Sequence, residues 1–395
     1  MHNEVKISDG LYYVGGSSRR LALFENVYPL TNGASFNSYL YLDEKTLLLD
    51  TVDRAVSDVF YGNLEFLLGE RKLDYLIVNH MEPDHAANIG ELLLRHPETT
   101  IVINPMAKKF LLNFFPDIKA EFLLVKEGDK LSIGKHEFTF VMAPMVHWPE
   151  VMMTYELTEA TLFSADAFGT FGALQGDIYA SPKNFDLSEA RRYYTNIVGK
   201  YGPQVQAVLK KAAGLRIEKI LPLHGPALLT PEEIGHAVKQ YGTWSSYGVE
   251  SEGVCIAYTS VYGHTKAAAL KLAEMLKARG CPKVAVADLA RDDMPETVED
   301  AFRYGKLVLA TTTYNADIFP FMRTFIEHLV ERNYQNRTVG LIENGSWAPM
   351  AAKVMRGLFE KSKGISFCEN TVTITSALGA ASEARLAALA DELAR

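Results

Sequence analysis

From Val254 to the C-terminus the chain alternates short apolar runs with amphipathic ones, and few folds accept that rhythm. "VCIAYTS" is followed by "KAAALKLAEMLKARG", "KVAVADL" by "PETVEDAFRYG", "KLVLATTT" by "FPFMRTFIEHLVERN", and "TVGLIENGS" by "APMAAKVMRGLFEKSK". A last helical segment closes the series. Strands that are apolar throughout need cover on both faces, and helices of 3.6-residue period supply it. This βαβα order predicts an α/β, doubly wound parallel sheet, whose ligands bind beyond the carboxyl ends of the strands.

Three loops stand at those carboxyl ends. In "YTSVYGHTKAAAL" (258–270) a strand passes through a hydroxyl-rich loop into a helix. Backbone N–H groups at that helix start, with the hydroxyls of Thr259, Ser260 and Thr265, predict a phosphate cradle that needs no positive charge. Val261, Tyr262, Gly263 and His264 complete the loop. It is neither a Walker loop nor a Gly-x-Gly-x-x-Gly turn, and taken alone it could be an ordinary helix cap. The second loop, "ATTTYNADIFP" (310–320), contributes Thr312, Thr313, Tyr314 and Asn315. The third, "ENGSWAP" (343–349), contributes Asn344, Gly345, Ser346 and Trp347. Tyr314 and Trp347 offer aromatic faces to a planar ring; turn chemistry and core packing are the competing accounts.

The first half keeps no such rhythm. "ASFNSYLYLDEKTLLLDT" (34–51) alternates around Asp43, Glu44 and Lys45 and predicts a hairpin, as do "KLSIGKHEFTFVMAP" (130–144) and "VMMTYELTEATLFSAD" (151–166). "DLSEARRYYTNIVGKYGPQVQAVLKKAAGL" (186–215) has a helical period with Gly214 near its stop. This mixture fits α+β or a layered αβ/βα arrangement. At 395 residues the chain exceeds one ordinary core. The Gly/Ser-rich "YGTWSSYGVESEG" (241–253) reads as the linker between a domain of residues 1–249 and one of residues 250–395.

Within "VNHMEPDH", His80, Glu82, Asp84 and His85 directly follow the apolar run "DYLIV". In an extended segment, residues 80, 82 and 84 share one side, and His85 begins a helix. The competing account is a polar loop with Asp84 as helix N-cap. His147 in "APMVHWPEVMM", Asp166 in "TLFSADAFGT" and His224 in "ILPLHGPA" also end apolar runs. Each alone is a weak signal. Together these imidazoles and carboxylates suit two metal ions bridged by a carboxylate, most naturally Asp166 from its separate strand. His2, His96, His136, His236, His264 and His328 sit in helical, turn or terminal contexts without such convergence. Trp148, next to His147, either lines a pocket or packs in the core.

Composition narrows the function classes. A net charge of −8 and the lack of a basic run argue against a nucleic-acid partner. Cys255, Cys281 and Cys368 form no paired spacing, which excludes a disulfide framework or thiolate metal site and predicts reduced thiols in a cytoplasmic protein. The N-terminus lacks a signal-peptide pattern, and no apolar run reaches membrane-spanning length.

The motif resembles the His-x-His-x-Asp-His of metallo-β-lactamase-like domains, followed by separate His, Asp and His residues. Its variant His-x-Glu-x-Asp-His, fused to a flavodoxin-like domain, is similar to the flavodiiron proteins across essentially the whole chain; "HWPE" and "SADAFG" share the likeness. The resemblance implies an N-terminal metallo-β-lactamase-like αβ/βα sandwich and a C-terminal flavodoxin-like doubly wound sheet. It implies that His80, Glu82 and His147 hold one iron, Asp84 and His224 the other, and that Asp166 bridges them. His85 matches a position that is a ligand in some members and stands aside in others. The three loops would hold FMN, although Thr312 stands where many relatives have proline and His264 where a small polar residue is common. A carboxylate at position 82 adds charge and a hard donor, favouring iron over zinc. The implied activity is reduction of dioxygen to water, nitric oxide to nitrous oxide, or both. Electrons would come from a separate donor, rubredoxin or in some relatives reduced deazaflavin, in a head-to-tail homodimer or a dimer of dimers. Two other readings stand beside it: a binuclear zinc hydrolase with an attached flavodoxin-like module, and an electron-transfer flavoprotein whose first domain is structural.

Overall fold

The computed structural model describes residues 3–395; Met1 and His2 lie outside the described residues. Two compact units are present. One extends to Tyr194 and resumes over Pro203–Gly242; the other comprises Thr195–Gly202 and Thr243–Arg395.

The βαβα rhythm becomes a parallel sheet in the second unit. Strand Ser251–Tyr258 lies between Val284–Asp288 and Tyr304–Tyr314, and Arg337–Asn344 follows. A fifth position is shared by Ile365–Phe367 and Val372–Ile374, both parallel to Arg337–Asn344. The order is thus 2-1-3-4-5, the flavodoxin-like arrangement. Side chains alternate between two apolar cores, as the all-apolar strands require. Cys255, Ala257, Leu307, Leu309 and Leu341 meet Met322, Phe325 and Ile326 on one face. Val254, Ile256, Val308, Ala310 and Ile342 meet Leu272, Leu386 and Leu389 on the other. The fifth position was not expected: "ISF" and "VTI" are too short to show a period.

The first unit stacks two sheets. Seven strands run in the order Val5–Ser8, Leu11–Tyr13, Tyr39–Leu42, Thr46–Leu49, Tyr75–Ile77, Thr100–Ile103 and Glu121–Leu124. Five more run in the order Lys130–Ser132, Glu137–Met142, Met152–Glu156, Thr161–Phe163 and Lys219–Leu221. The three expected hairpins are present as antiparallel pairs. Tyr39, Tyr41, Leu47, Leu49, Ile77 and Val102 from the first sheet pack with Phe138, Phe140, Met152, Phe163 and Leu221 from the second. Leu40, Leu48, Leu76 and Ile101, which point the other way, are buried too. The first sheet is therefore covered on both faces, as an αβ/βα sandwich demands.

Two sequence expectations need correction. The helical run 186–215 is not continuous: helix Leu187–Tyr193 widens into a π-helical turn over Tyr194–Val198, tightens over Gly199–Tyr201 and resumes as Gly202–Ala212. The segment 241–253 does contain the boundary between the two units, which falls between Gly242 and Thr243, but it is ordered rather than loose. Helix Pro231–Ser245 runs into it, and the next strand begins at Ser251. Its aromatics override its Gly/Ser content: Trp244 and Tyr247 are buried, and Trp244 Nε1 donates to Glu250 Oε2 at 2.6 Å. Buried Arg337 ties it down, donating to the carbonyls of Tyr247 (2.9 Å), Gly248 (3.0 Å) and Phe302 (2.5 Å). Arg337→Met strands these acceptors and is expected to cost about 3 kcal/mol. Urea unfolding of the variant measures it; an unchanged midpoint would contradict the role assigned to Arg337.

Candidate metal centre and loop cleft

Parallel register explains why the metal-type residues meet. Phe163 lies beside Leu221 on adjacent parallel strands, and Asp166 and His224 follow at matching distances along the chain. Ile77 lies beside Leu49 in the other sheet, so "VNHMEPDH" and Asp50 leave that sheet together. The two sheets are clamped here. Asp50 Oδ1 accepts from the Asn79 N–H at 2.7 Å, and Asp50 Oδ2 from Asn79 Nδ2 at 2.7 Å. Thr154 Oγ1 donates to Asn79 Oδ1 at 2.7 Å, and the Met152 N–H to Asn79 O at 3.0 Å. Asp50, Asn79 and Thr154 carry no sequence signal of this role. Burial, offset by the Asn79 hydrogen bonds, pushes Asp50 up to about 6.

All seven expected ligands come together, in two groups. His80, Glu82, His147 and Asp166 form one; Asp84, His85 and His224 form the other. His147 Nε2 is 3.0 Å from both Glu82 Oε2 and Asp166 Oδ2. His80 Nε2 is 3.2 Å from Glu82 Oε2 and 3.5 Å from Asp166 Oδ2. The other Asp166 oxygen, Oδ1, faces the second group, 3.2 Å from His85 Nε2 and 3.9 Å from His224 Nε2. Asp84 Oδ2 is 3.2 Å from His224 Nε2 and 3.4 Å from His85 Nε2. Asp166 therefore presents one oxygen to each group.

The expected convergence of residues 80, 82 and 84 holds only for the first two. Pro83 opens the helix Pro83–Ala86, and the turn sends Asp84 and His85 to the second locus. Asp84 is not the N-cap: Glu82 holds that position, with no side-chain capping bond. His85 sits with its Nε2 inside the second group rather than aside.

Further groups orient the rings. Glu150 Oε1 lies 2.8 Å from His80 Nδ1 and accepts from the Met81 N–H at 3.0 Å. Glu150, the last residue of "HWPE", is the supporting residue that sequence reasoning missed. His224 Nδ1 donates to the Ser35 carbonyl at 2.7 Å, leaving a lone pair on Nε2 of the neutral ring. Burial opposes charge on His80, yet Asp166, Glu150 and Glu82 carry its pKa well above the imidazole value. Burial also opposes charge on His147, but hydrogen bonds to Asp166 and Glu82 raise it to about 9. Burial would raise Glu82 and Asp166; the facing histidines hold both well below the carboxylate range.

These donors fit metal ions. His85 Nε2 and His224 Nε2 are 3.0 Å apart, and both Asp84 oxygens and Asp166 Oδ1 are buried without a well-formed hydrogen bond. Lone pairs and carboxylates facing one another in a low-dielectric site are relieved by bound cations. A chamber of 510 Å³ opens over Glu82 and Asp84, walled by Leu21, Leu23, Phe24, Phe36 and Trp148, with Glu25 and Asp53 as its other acids. Trp148 is thus a chamber wall as well as a packing residue.

In the second unit, a cleft of 820 Å³ lies at the carboxyl ends of the strands. Ser260, Val261, Tyr262, His264 and Thr265 line it, as do Thr312, Thr313, Tyr314, Asn315, Asn344, Gly345, Ser346 and Trp347. Thr259 and Gly263 do not. Buried Thr259 pairs its hydroxyl with Thr311 Oγ1 at 2.6 Å. Gly263 is the helix N-cap, with φ of 92°. Ala316, Ala348, Met350 and Ser376 line the cleft without having been expected. Ser376 follows the unanticipated fifth strand, and its carbonyl accepts from Asn344 Nδ2 at 2.9 Å. Trp347 is 83% exposed, which rules out core packing.

Residues 34–225 match the model of the ODP family beta lactamase. A nitric oxide reductase of Moorella thermoacetica is 29% identical over 375 residues, covering 92% of this chain and 91% of its own. The rubredoxin oxygen:oxidoreductase of the anaerobe Desulfovibrio gigas has a TM-score of 0.92 at 26% identity, covering 99% of this chain and 98% of its own. In fold, the flavodiiron protein of Giardia intestinalis has a TM-score of 0.93 at 22% identity, covering 100% and 97%. Among the described residues no helix is long and apolar enough to cross a membrane.

The metal-free protein carries a pH signature. A histidine with a folded pKa raised above its ordinary 6.5 stabilises the fold below the unfolded value, and that stability is lost as pH rises through the folded value. With His147 at about 9, the metal-stripped protein is expected to lose thermal stability between about pH 6.5 and 9. Glu25, pushed up to about 8 by burial and by Glu82, acts in the same direction. Metal binding in this window should release protons, readable by calorimetry in two buffers of different ionisation enthalpy. A Tm flat with pH, with no proton release, would contradict the assignment.

Proposed function

We propose that this chain is a flavodiiron oxidoreductase, as its likeness to the ODP family beta lactamase model, to a nitric oxide reductase and to a rubredoxin oxygen:oxidoreductase supports, and that it reduces dioxygen to water, nitric oxide to nitrous oxide, or both. The observation that carries the reading is Asp166, whose two oxygens face different groups of donors, one of which includes the hard carboxylate of Glu82. His80, Glu82 and His147 would hold one iron, Asp84, His85 and His224 the second, with Asp166 between them. FMN would occupy the loop cleft. When bound, the irons supply electrons to a diatomic gas and the flavin passes them on singly or in pairs.

The chain's own residues do the rest. Glu150 and Ser35 fix the tautomers of His80 and His224, so that their Nε2 lone pairs face the irons. Phe24, Phe36, Leu21 and Trp148 give the chamber apolar walls, which favour an apolar gas. Glu25 and Asp53 are the acids through which protons consumed in the reduction can enter. In the cleft, Ser260, Thr265 and the N–H groups opening helix His264–Ala278 would receive the phosphate. Tyr314 and Trp347 would flank the ring. The electrons would come from rubredoxin or another separate donor, with reduced deazaflavin the second candidate, in a cytoplasmic protein. A head-to-tail homodimer, alone or paired into a dimer of dimers, would bring one subunit's flavin to its partner's irons.

Purified protein is expected to carry about two irons and one FMN per chain, the Glu82 carboxylate favouring iron. After anaerobic reduction it should consume dioxygen or nitric oxide in parallel assays. Two zincs and hydrolytic turnover would favour the zinc-hydrolase reading instead. Trp347→Ala should fold normally, because the side chain is exposed. It is expected to weaken FMN binding about tenfold, the loss of one aromatic stacking contact. Fluorescence titration of the flavin-free protein measures this; unchanged affinity would remove Trp347 from the ring site.

A further inference from the structure

A second hollow adjoins the metal chamber. It has a volume of 230 Å³ and is lined by Pro83, Ala86, Ala87, Phe114 and Phe115, with Asp53 and Arg54 as its polar residues. Asp53 and Pro83 also line the chamber, so the two spaces share a wall. The floor of the hollow is the back of helix Pro83–Ala86, the helix that carries Asp84 and His85. Its space depends on small side chains, Ala86 and Ala87, where most residues would fill it.

The walls are fixed. Phe115 seats on the helix Ile89–Arg95: a Cβ at Gly90 would lie 3.2 Å from its ring. Asp53 accepts from the Ala55 N–H at 2.7 Å, which holds its carboxylate at the boundary between the spaces. Phe114 is exposed on the outer side. The hollow opens to solvent at Arg54, Pro83 and Phe114, while Ala86, Ala87 and Phe115 give it an apolar back wall; its volume exceeds the roughly 150 Å³ in which an apolar cavity holds xenon or benzene, so a diatomic gas fits against that wall.

We infer that this hollow is a binding and entry site for an apolar diatomic gas, leading past the Asp53–Pro83 wall into the chamber. The inference rests on the function proposed above. In the head-to-tail homodimer proposed above, the partner subunit would cover the chamber mouth at Leu23, Glu25 and Trp148, and the gas then needs a separate entrance. The hollow provides one on the side of the second donor group. Its apolar lining concentrates a poorly water-soluble gas, while charged solutes are left to the rim at Arg54.

Xenon is the probe, applied under pressure to crystals of the metal- and flavin-loaded protein. Xenon density between Ala87 and Phe114 is expected. Ala87→Leu should abolish it with iron and FMN content unchanged. The same variant should lower kcat/KM for the gas about tenfold while leaving kcat at saturating gas and the rate of reduction by the donor unchanged. Ala87→Val, a smaller plug, should give a smaller loss in the same direction and serves if leucine is not accommodated. Phe114→Ala, which opens the outer wall, should keep xenon binding and not raise KM. Gas turnover with no xenon in the hollow would overturn the entry site alone. So would loss of xenon in Ala87→Leu with kcat/KM unchanged. Xenon in the hollow of a protein that reduces no gas would overturn the proposed function and uphold the hollow as an apolar gas site.

Discussion

The centre depends on one buried carboxylate serving two clusters. Asp166 is essentially inaccessible to solvent, and each of its oxygens lies close to imidazole nitrogens of a different group. Isolated charge at that depth is costly, and it persists only if opposite charge is held beside it. Protonated histidines can serve in a metal-free protein, as the raised His80 and His147 pKa values indicate. Cations serve better, because they satisfy the lone pairs as well as the charge.

Holding such a cluster needs a stiff frame. The donors come from loops that leave two stacked sheets, so any slip between sheets would separate them. Asn79 prevents this slip. Its side chain engages Asp50 and Thr154, and its carbonyl receives the Met152 N–H, joining both sheets one residue before the first ligand. Glu150 then links the loop after Met142 to the backbone at Met81 and the ring of His80. Strand pairing, clamp and ring orientation thus form one chain of causes from sequence to site.

Much of this is legible in the sequence. Apolar strands alternating with amphipathic helices specify the parallel sheet, because each strand needs cover on both faces. The ligand-type residues stand out because each ends an apolar run. Other features left no local trace. Pro83 divides the motif between two sites by starting a helix, a three-dimensional consequence that a period-two rule misses. Asp50, Asn79 and Glu150 look like ordinary polar residues until their partners, distant in sequence, are known. The segment 241–253 has the composition of a linker, but Trp244, Tyr247 and the reach of Arg337 make it part of a core. Thr259 reads as a phosphate hydroxyl, and its pairing with Thr311 behind the cleft is set by a partner distant in sequence.

If Asp166 joins two irons into one centre, as proposed, Mössbauer spectroscopy of the iron-loaded protein shows it most directly. Two iron environments of equal population, magnetically coupled in the wild type and uncoupled or depleted in Asp166→Asn, are the predicted result. A single uncoupled iron environment, or a spectrum that Asp166→Asn leaves unchanged, would contradict it.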